Sequence, residues 1–116
     1  MLNALRPAAE ITHLAGTPVA TPMPTQSGRP HDIFRCPTCG TALWSDYGRR
    51  RVLLFVRVGT LDDPASRPPD VHIYTRSKLP WLSLSPQIPA FPEYYDRTIL
   101  WPAASLARLK ALVKAP

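Results

Sequence analysis

Both cysteines of this 116-residue chain lie in one short segment, Phe34-Arg35-Cys36-Pro37-Thr38-Cys39-Gly40. A Cys-x-x-Cys turn that ends at a glycine brings two thiolates to one point and lets the backbone reverse beneath them. A structural zinc ion needs four ligands at the corners of a tetrahedron, with sulfur about 2.3 Å from the metal. The segment therefore predicts half of a zinc site, with Cys36 and Cys39 as metal ligands.

Short strands are predicted on both sides of this turn. Residues 31–36 alternate weakly between polar and apolar side chains, and residues 41–44 are typical of the returning strand of a zinc-knuckle hairpin. A turn is predicted at residues 46–48. The strongest strand prediction covers residues 51–58, which are rich in β-branched and aromatic residues. Its nearly continuous apolar run predicts burial on both faces of a sheet.

The remaining segments favour a mainly β fold. Fifteen prolines cut the chain into short extended pieces and leave little room for long helices. We expect a loop or edge strand within residues 17–30, a short strand at 71–75 and an irregular aromatic segment at 80–95 packed over the sheet. The only helix predicted covers residues 103–113, where Leu106, Leu109 and Val113 recur at helical spacing.

Charge and composition limit the classes of partner. Fourteen Lys and Arg residues against eight Asp and Glu give a net charge of +6, which permits anionic partners without requiring them. The basic run at residues 49–51 is interpreted as solvated surface. Because no broad basic face with interleaved aromatic residues is evident, nucleic acid is not an expected partner. The sequence contains neither a membrane-spanning apolar stretch nor a secretory signal, so we predict a cytoplasmic protein and no membrane partner.

Four blocks of sequence follow one another in a familiar order. They are the cysteine turn at 36–40 and the segments 57–64, 72–81 and 91–95. With these blocks, the chain resembles the glutathione-dependent formaldehyde-activating enzyme family, also called the centromere protein V family, from about Leu2 to Trp101. The resemblance implies a β-tent fold: small antiparallel sheets around zinc, with a short C-terminal helix. We accordingly expect a β domain over residues 1–102, followed by a helix and tail over residues 103–116.

The resemblance also implies a chemistry. Complete relatives join formaldehyde to glutathione, formally a carbon–sulfur lyase reaction on a small thiol adduct, and they carry one structural and one catalytic zinc. By that comparison Cys36 and Cys39 are ligands of the structural zinc. The two earlier cysteine motifs of the family are absent here, so the expected chain is truncated at its N-terminus and its lyase activity impaired or lost. The alternatives are a non-catalytic zinc-binding or interaction module, and a fragment from a wrongly assigned gene start.

The remaining candidate residues leave several interpretations open. The missing zinc ligands could be Asp32, His31, His72 or residues of a second subunit in a homodimer, and free thiols without metal remain the alternative. A thioredoxin-like redox role fits poorly, because no helix follows the turn. Arg76 and Lys78 could bind the carboxylate of a small acid, or simply belong to a solvated loop. His72 and Trp81 are candidates for lining a substrate pocket, against purely structural roles.

Overall fold

The computed structural model of the chain describes residues 1–114, with side chains up to residue 113. Its contacts divide the chain into two compact units, Met1–Arg67 and Pro68–Pro116. Among the described residues, the first unit contains all the strands and the second contains both α-helices. The prediction of a mainly β protein with a C-terminal helix is confirmed.

Five strands form one antiparallel sheet in the first unit. Their spatial order is β1-β5-β4-β3-β2, and their bounds are β1 Asn3–Pro7, β2 Val19–Pro22, β3 His31–Arg35, β4 Ala42–Tyr47 and β5 Leu53–Arg57. Strand β2 lies at an edge, which suits its one proline, Pro22, because proline cannot donate a hydrogen bond to a neighbouring strand. The sequence prediction of an edge strand in this region is therefore confirmed.

The cysteine turn connects β3 to β4, as predicted. The backbone N–H of Cys36 donates to the Thr41 carbonyl at 2.9 Å, and that of Gly40 donates to the Cys36 carbonyl at 2.9 Å. Gly40 has a φ of 75°, a left-handed conformation that glycine adopts without steric cost. The pairing shifts register between Phe34 and Arg35, which is a β-bulge beside the turn.

Strand β4 extends further than the sequence indicated. The predicted turn at residues 46–48 is wrong for its first two residues, since Asp46 and Tyr47 pair with β3 and the chain reverses only at Gly48. The backbone of Asp46 pairs with β3, although aspartate is common in turns. Its carboxylate instead accepts hydrogen bonds from the segment that follows β4. Gly48 donates its N–H to the Pro30 carbonyl at 2.7 Å, which closes the turn against the start of β3.

Alternation along the strands creates two chemically different faces. Asp32, Phe34, Trp44 and Asp46 share one face, while His31 lies on the other face with Ile33, Ser45 and Tyr47. In β5, Leu53 and Leu54 are adjacent and both buried, which confirms the prediction that this strand is covered on both sides. Together with Ile33 and Val58, these two leucines form the buried apolar core of the first unit.

The second unit is largely irregular. Helices α1 at Arg97–Leu100 and α2 at Ala103–Lys114 end the described chain, and α2 matches the predicted helix. The predicted strand at 71–75 does not form: His72 makes an isolated bridge to Ala90, and Tyr74 is left-handed with a φ of 53°. That conformation cannot continue a strand. Residues 80–95 are irregular, as predicted, and their packing over the sheet stays a prediction.

Four 3-10 turns complete the architecture, at Ala8–Glu10, Val58–Thr60, Pro64–Ser66 and Thr75–Ser77. Within residues 1–114, no helix is long and apolar enough to cross a membrane.

Candidate functional site

The two cysteines lie together at an accessible tip of the first unit. Both are free thiols; Cys39 is exposed and Cys36 is half-buried. Cys39 Sγ lies 3.1 Å from the Thr41 hydroxyl, and Arg35 Nη1 donates to the Gly40 carbonyl at 3.1 Å. These contacts tie both ends of the turn to the strands, so the thiols are presented on a defined backbone rather than on a free loop.

The surroundings of Cys39 favour its ionised form. The Thr41 hydroxyl is the main cause that lowers the pKa of the Cys39 thiol, and the Thr41 backbone N–H and the Cys36 thiol lower it further. Hydrogen-bond donors stabilise a thiolate more than a thiol, which is why they shift the equilibrium this way. A thiolate is the form that binds a metal ion.

The residues that the structure describes contain only part of a tetrahedral zinc site. Cys36 and Cys39 fit two of the four positions, since a Cys-x-x-Cys turn is the usual source of two zinc thiolates. Among residues 1–114, however, no group of three or more His, Cys, Asp or Glu side chains is placed to hold a metal ion. A complete ligand set is therefore not present within the described chain.

Two of the candidate ligands considered from the sequence are engaged elsewhere. His31 Nε2 lies 2.9 Å from Ser45 Oγ, and its ring stacks on Tyr47 with centroids 4.1 Å apart. Asp32 accepts two hydrogen bonds from Arg49, at 2.9 and 3.1 Å. His31 thus has its partners on β4, and Asp32 has its partner in the turn that follows β4.

A cluster of opposite charges joins Asp32 and Asp46 to the basic run after β4. Arg51 donates to both carboxylates at 3.2 Å, and Arg49 pairs with Asp32. Arg49 and Arg51 have φ values of 51° and 64°, so this run is a tight left-handed turn. Both side chains remain about half exposed, at 46% and 54%, which agrees with the interpretation of this run as surface, and each also pairs with a buried carboxylate.

The charges of this cluster act on one another. Hydrogen bonding from Arg49 is the main cause that lowers the pKa of Asp32, and burial opposes that shift. The same contact raises the pKa of Arg49. The Arg51 guanidinium also lies over the Phe34 ring, 5.6 Å from its centroid. The carboxylates and the arginines neutralise one another's charge, so this cluster stabilises the fold.

The opposite face carries a second polar network, which sequence reasoning missed. Arg57 donates from Nη2 to Ser45 Oγ at 2.8 Å and from Nη1 to Asn3 Oδ1 at 2.7 Å. Burial lowers the pKa of His31, and the nearby Arg57 cation lowers it further. A basic residue inside the apolar run of β5 was the only sequence signal for this network.

Most of the chain matches one known protein family. Residues 1–77 match the family model described as glutathione-dependent formaldehyde-activating enzyme, which covers more than half of the chain. The chain belongs to this family. The match includes the cysteine turn, the whole sheet and two of the candidate substrate residues, His72 and Arg76. No curated protein and no solved structure matches the chain.

The family match ends before the other two candidate residues, Lys78 and Trp81. In the second unit, Arg76 pairs with Glu93 at 2.9 Å, and Lys78 Nζ donates to the Leu82 carbonyl at 2.6 Å. Trp81 is 77% exposed. The two cations therefore have partners within their own unit, and the substrate-binding roles of all four residues stay predictions.

A shallow groove of about 300 Å³ also lies on the sheet of this family member. Its lining is mainly apolar and includes Leu43, Trp44 and Val56, with the Arg6–Glu10 ion pair at its side. The β-bulge in the β3–β4 pairing turns Leu43 toward the side of Trp44. The groove is open and offers few fixed polar groups, so it does not by itself define a ligand.

Proposed function

We propose that this family member is a zinc-binding module in which Cys36 and Cys39 supply one pair of thiolates, and a second copy of the chain supplies the other pair. The observation that carries the proposal is the exposed pair of free thiols on one structured turn, without further ligands among residues 1–114. Two such turns related by a two-fold axis would offer the four sulfur ligands that structural zinc prefers.

We infer the reaction class from the family. Its description names activation of formaldehyde with glutathione, and the resemblance implies a carbon–sulfur lyase acting on a glutathione-type thiol adduct of a small aldehyde. The two cysteines fill only half of one tetrahedral zinc site, and no group of three or more potential ligands among residues 1–114 supplies another. The proposed state of these 116 residues is therefore zinc-binding with impaired or absent lyase activity.

The alternative within this proposal is a non-catalytic interaction module whose zinc serves only to join chains. We place the protein in the cytoplasm, where unpaired thiols remain reduced and available to a metal. Nucleic acid and membranes are not proposed partners. The ion pairs of Arg49 and Arg51 support leaving out nucleic acid, because two charges of the basic run are already neutralised by Asp32 and Asp46.

Native mass spectrometry tests zinc content and subunit number together. We expect a dimer containing one zinc ion, and a metal-free monomer after chelation. Cys36→Ser and Cys39→Ser should each abolish both the metal and the dimer. Thr38→Ser is the matched control, because it alters the same turn without removing a thiolate and should leave the zinc-bridged dimer intact. Zinc bound by a monomer, or retained when both cysteines are replaced, would contradict the proposal.

A separate assay addresses the reaction. Formation of the formaldehyde–glutathione adduct can be followed by NMR with the zinc-loaded chain, and we expect no acceleration over the uncatalysed rate. Acceleration that disappears in the double cysteine variant would restore the lyase function to this chain. Acceleration that survives in the double variant would place the chemistry at other residues.

A further inference from the structure

Arg57 is a buried cation whose charge nothing in its own unit neutralises. It ends β5 and is only 8% exposed. Its two hydrogen-bond acceptors are the neutral oxygens of Asn3 and Ser45. The ion pairs of residues 1–67 involve Arg6, Arg49 and Arg51 instead. A guanidinium stays protonated even when burial lowers its pKa, as it does here.

The lack of a counter-charge is unusual for a side chain with this degree of burial. Removing an ion from water is energetically unfavourable unless a partner of opposite charge compensates. Strands β4 and β3 each carry a carboxylate, but Asp46 and Asp32 lie on the other face of the sheet, where arginines already neutralise them. The buried positive charge of Arg57 would therefore be stabilised by an anion bound from solution.

Arg57 also retains donors with which to bind that anion. A guanidinium has five N–H groups, and Arg57 uses one on Nη1 and one on Nη2 for its two acceptors. Among the described residues, no fully buried side-chain nitrogen lacks a hydrogen-bond partner. The Nε atom of Arg57 makes no hydrogen bond within its unit, so it is not sealed from solvent. The Nε–H group is therefore a donor that Asn3 and Ser45 leave unused.

We propose that Arg57 anchors a binding site for a small monocarboxylate, with Asn3 and Ser45 holding the guanidinium in place and His31 lying beside Ser45. A planar guanidinium matches a carboxylate through two parallel N–H···O bonds. The single negative charge of a monocarboxylate matches the single positive charge of Arg57. The neighbouring His31 adds no second cation, because burial and the charge of Arg57 lower the pKa of His31. A dianion would leave one buried negative charge uncompensated, so phosphate is the disfavoured ligand.

This inference does not depend on the proposed zinc module. Its residues lie on β1, β3, β4 and β5, and it predicts the same anion binding in the Cys36→Ser/Cys39→Ser double variant. Using that variant in parallel separates the two ideas, since loss of zinc binding would leave this site unaffected.

The test is an NMR titration with sodium acetate at pH 7.5, with sodium chloride adjusted to keep ionic strength constant. We expect saturable shifts of the Arg57 Nε–H signal and of the Ser45 amide. Arg57→Lys should raise the half-saturating acetate concentration about tenfold, because an ammonium cannot bind the carboxylate in a bidentate manner. Arg57→Met should abolish saturation. Arg67→Met is the matched control in an exposed arginine of the same unit, and it should titrate like the wild type.

Two results would overturn the assignment. Shifts that rise linearly with acetate, or that are equal in chloride alone, would show that no site exists. Tighter binding of phosphate than of acetate would show that the site does not select a monocarboxylate. If Arg57→Met fails to fold, the wild-type saturation curve and the Arg57→Lys comparison still decide between these outcomes.

Discussion

The carboxylate of Asp46 is predicted to hold the reversal between β4 and β5. Asp46 is 0% exposed, and it accepts from the backbone N–H groups of Arg50 and Arg51 at 3.1 and 3.2 Å. Arg51 Nη1 adds a third bond at 3.2 Å. The two arginines that flank Arg50 both have positive φ, a conformation that costs a non-glycine residue about 1–2 kcal/mol. The carboxylate offsets this cost.

The expected loss follows from these bonds. A backbone N–H donating to a charged acceptor contributes about 1.5 kcal/mol, and the half-exposed Arg51 side chain adds about 0.5 kcal/mol after solvent screening. Asp46→Ala removes all three bonds and should cost about 3.5 kcal/mol. Asp46→Asn keeps one neutral acceptor worth about 1 kcal/mol, so we expect a loss of about 2.5 kcal/mol.

Urea unfolding followed by the fluorescence of a single tryptophan would measure these losses in the first unit. Trp44 lies two residues before Asp46 on β4, and replacing Trp81 and Trp101 by phenylalanine leaves it as the sole emitter. Asp62→Asn is the control: Asp62 is exposed in the same unit, so we expect a change within about 0.5 kcal/mol.

Two results would refute the reasoning about Asp46. Equal stability of Asp46→Asn and Asp62→Asn would show that the carboxylate does not hold the turn. A loss in Asp46→Ala no larger than in Asp46→Asn would show that the backbone hydrogen bonds contribute nothing beyond the charge.

Three further predictions concern other parts of the chain. The pKa of His31 is lowered in the folded state, so the unfolded chain binds more protons near pH 6. Stability should therefore fall as pH drops below about 6.5. His31→Gln should flatten that part of the plot of urea midpoint against pH. Gly40→Ala should cost about 1 kcal/mol from its positive φ alone, since an added Cβ meets no atom within 4 Å; Gly40→Asn should cost less, and equal losses would contradict this cause. Acrylamide should quench Trp81 more strongly than Trp44 in single-tryptophan variants, because Trp81 is far more exposed.

Local patterns in the sequence were sufficient for most of the fold. The β-branched and aromatic run of β5, the helical spacing of Leu106 and Leu109, and the glycine that closes the cysteine turn each specify structure through neighbours in sequence. The cysteine pair was visible for the same reason, since both thiols belong to one turn. The strand expected at 71–75 failed because backbone conformation at Tyr74 interrupts it.

The polar networks were decided only by the tertiary structure. Arg57 and Asn3 are separated by 54 positions in the sequence and meet because β1 pairs with β5 in one particular register. Asp32 and Arg49 meet across 17 positions for a comparable reason. Burial and neutralisation of a charge depend on which residues the sheet brings opposite one another, and composition or periodicity does not contain that information. Sequence therefore determined the thiol turn and the location of β3, β4, β5 and helix α2, whereas strand pairing decided which charges are paired and left Arg57 without a counter-ion.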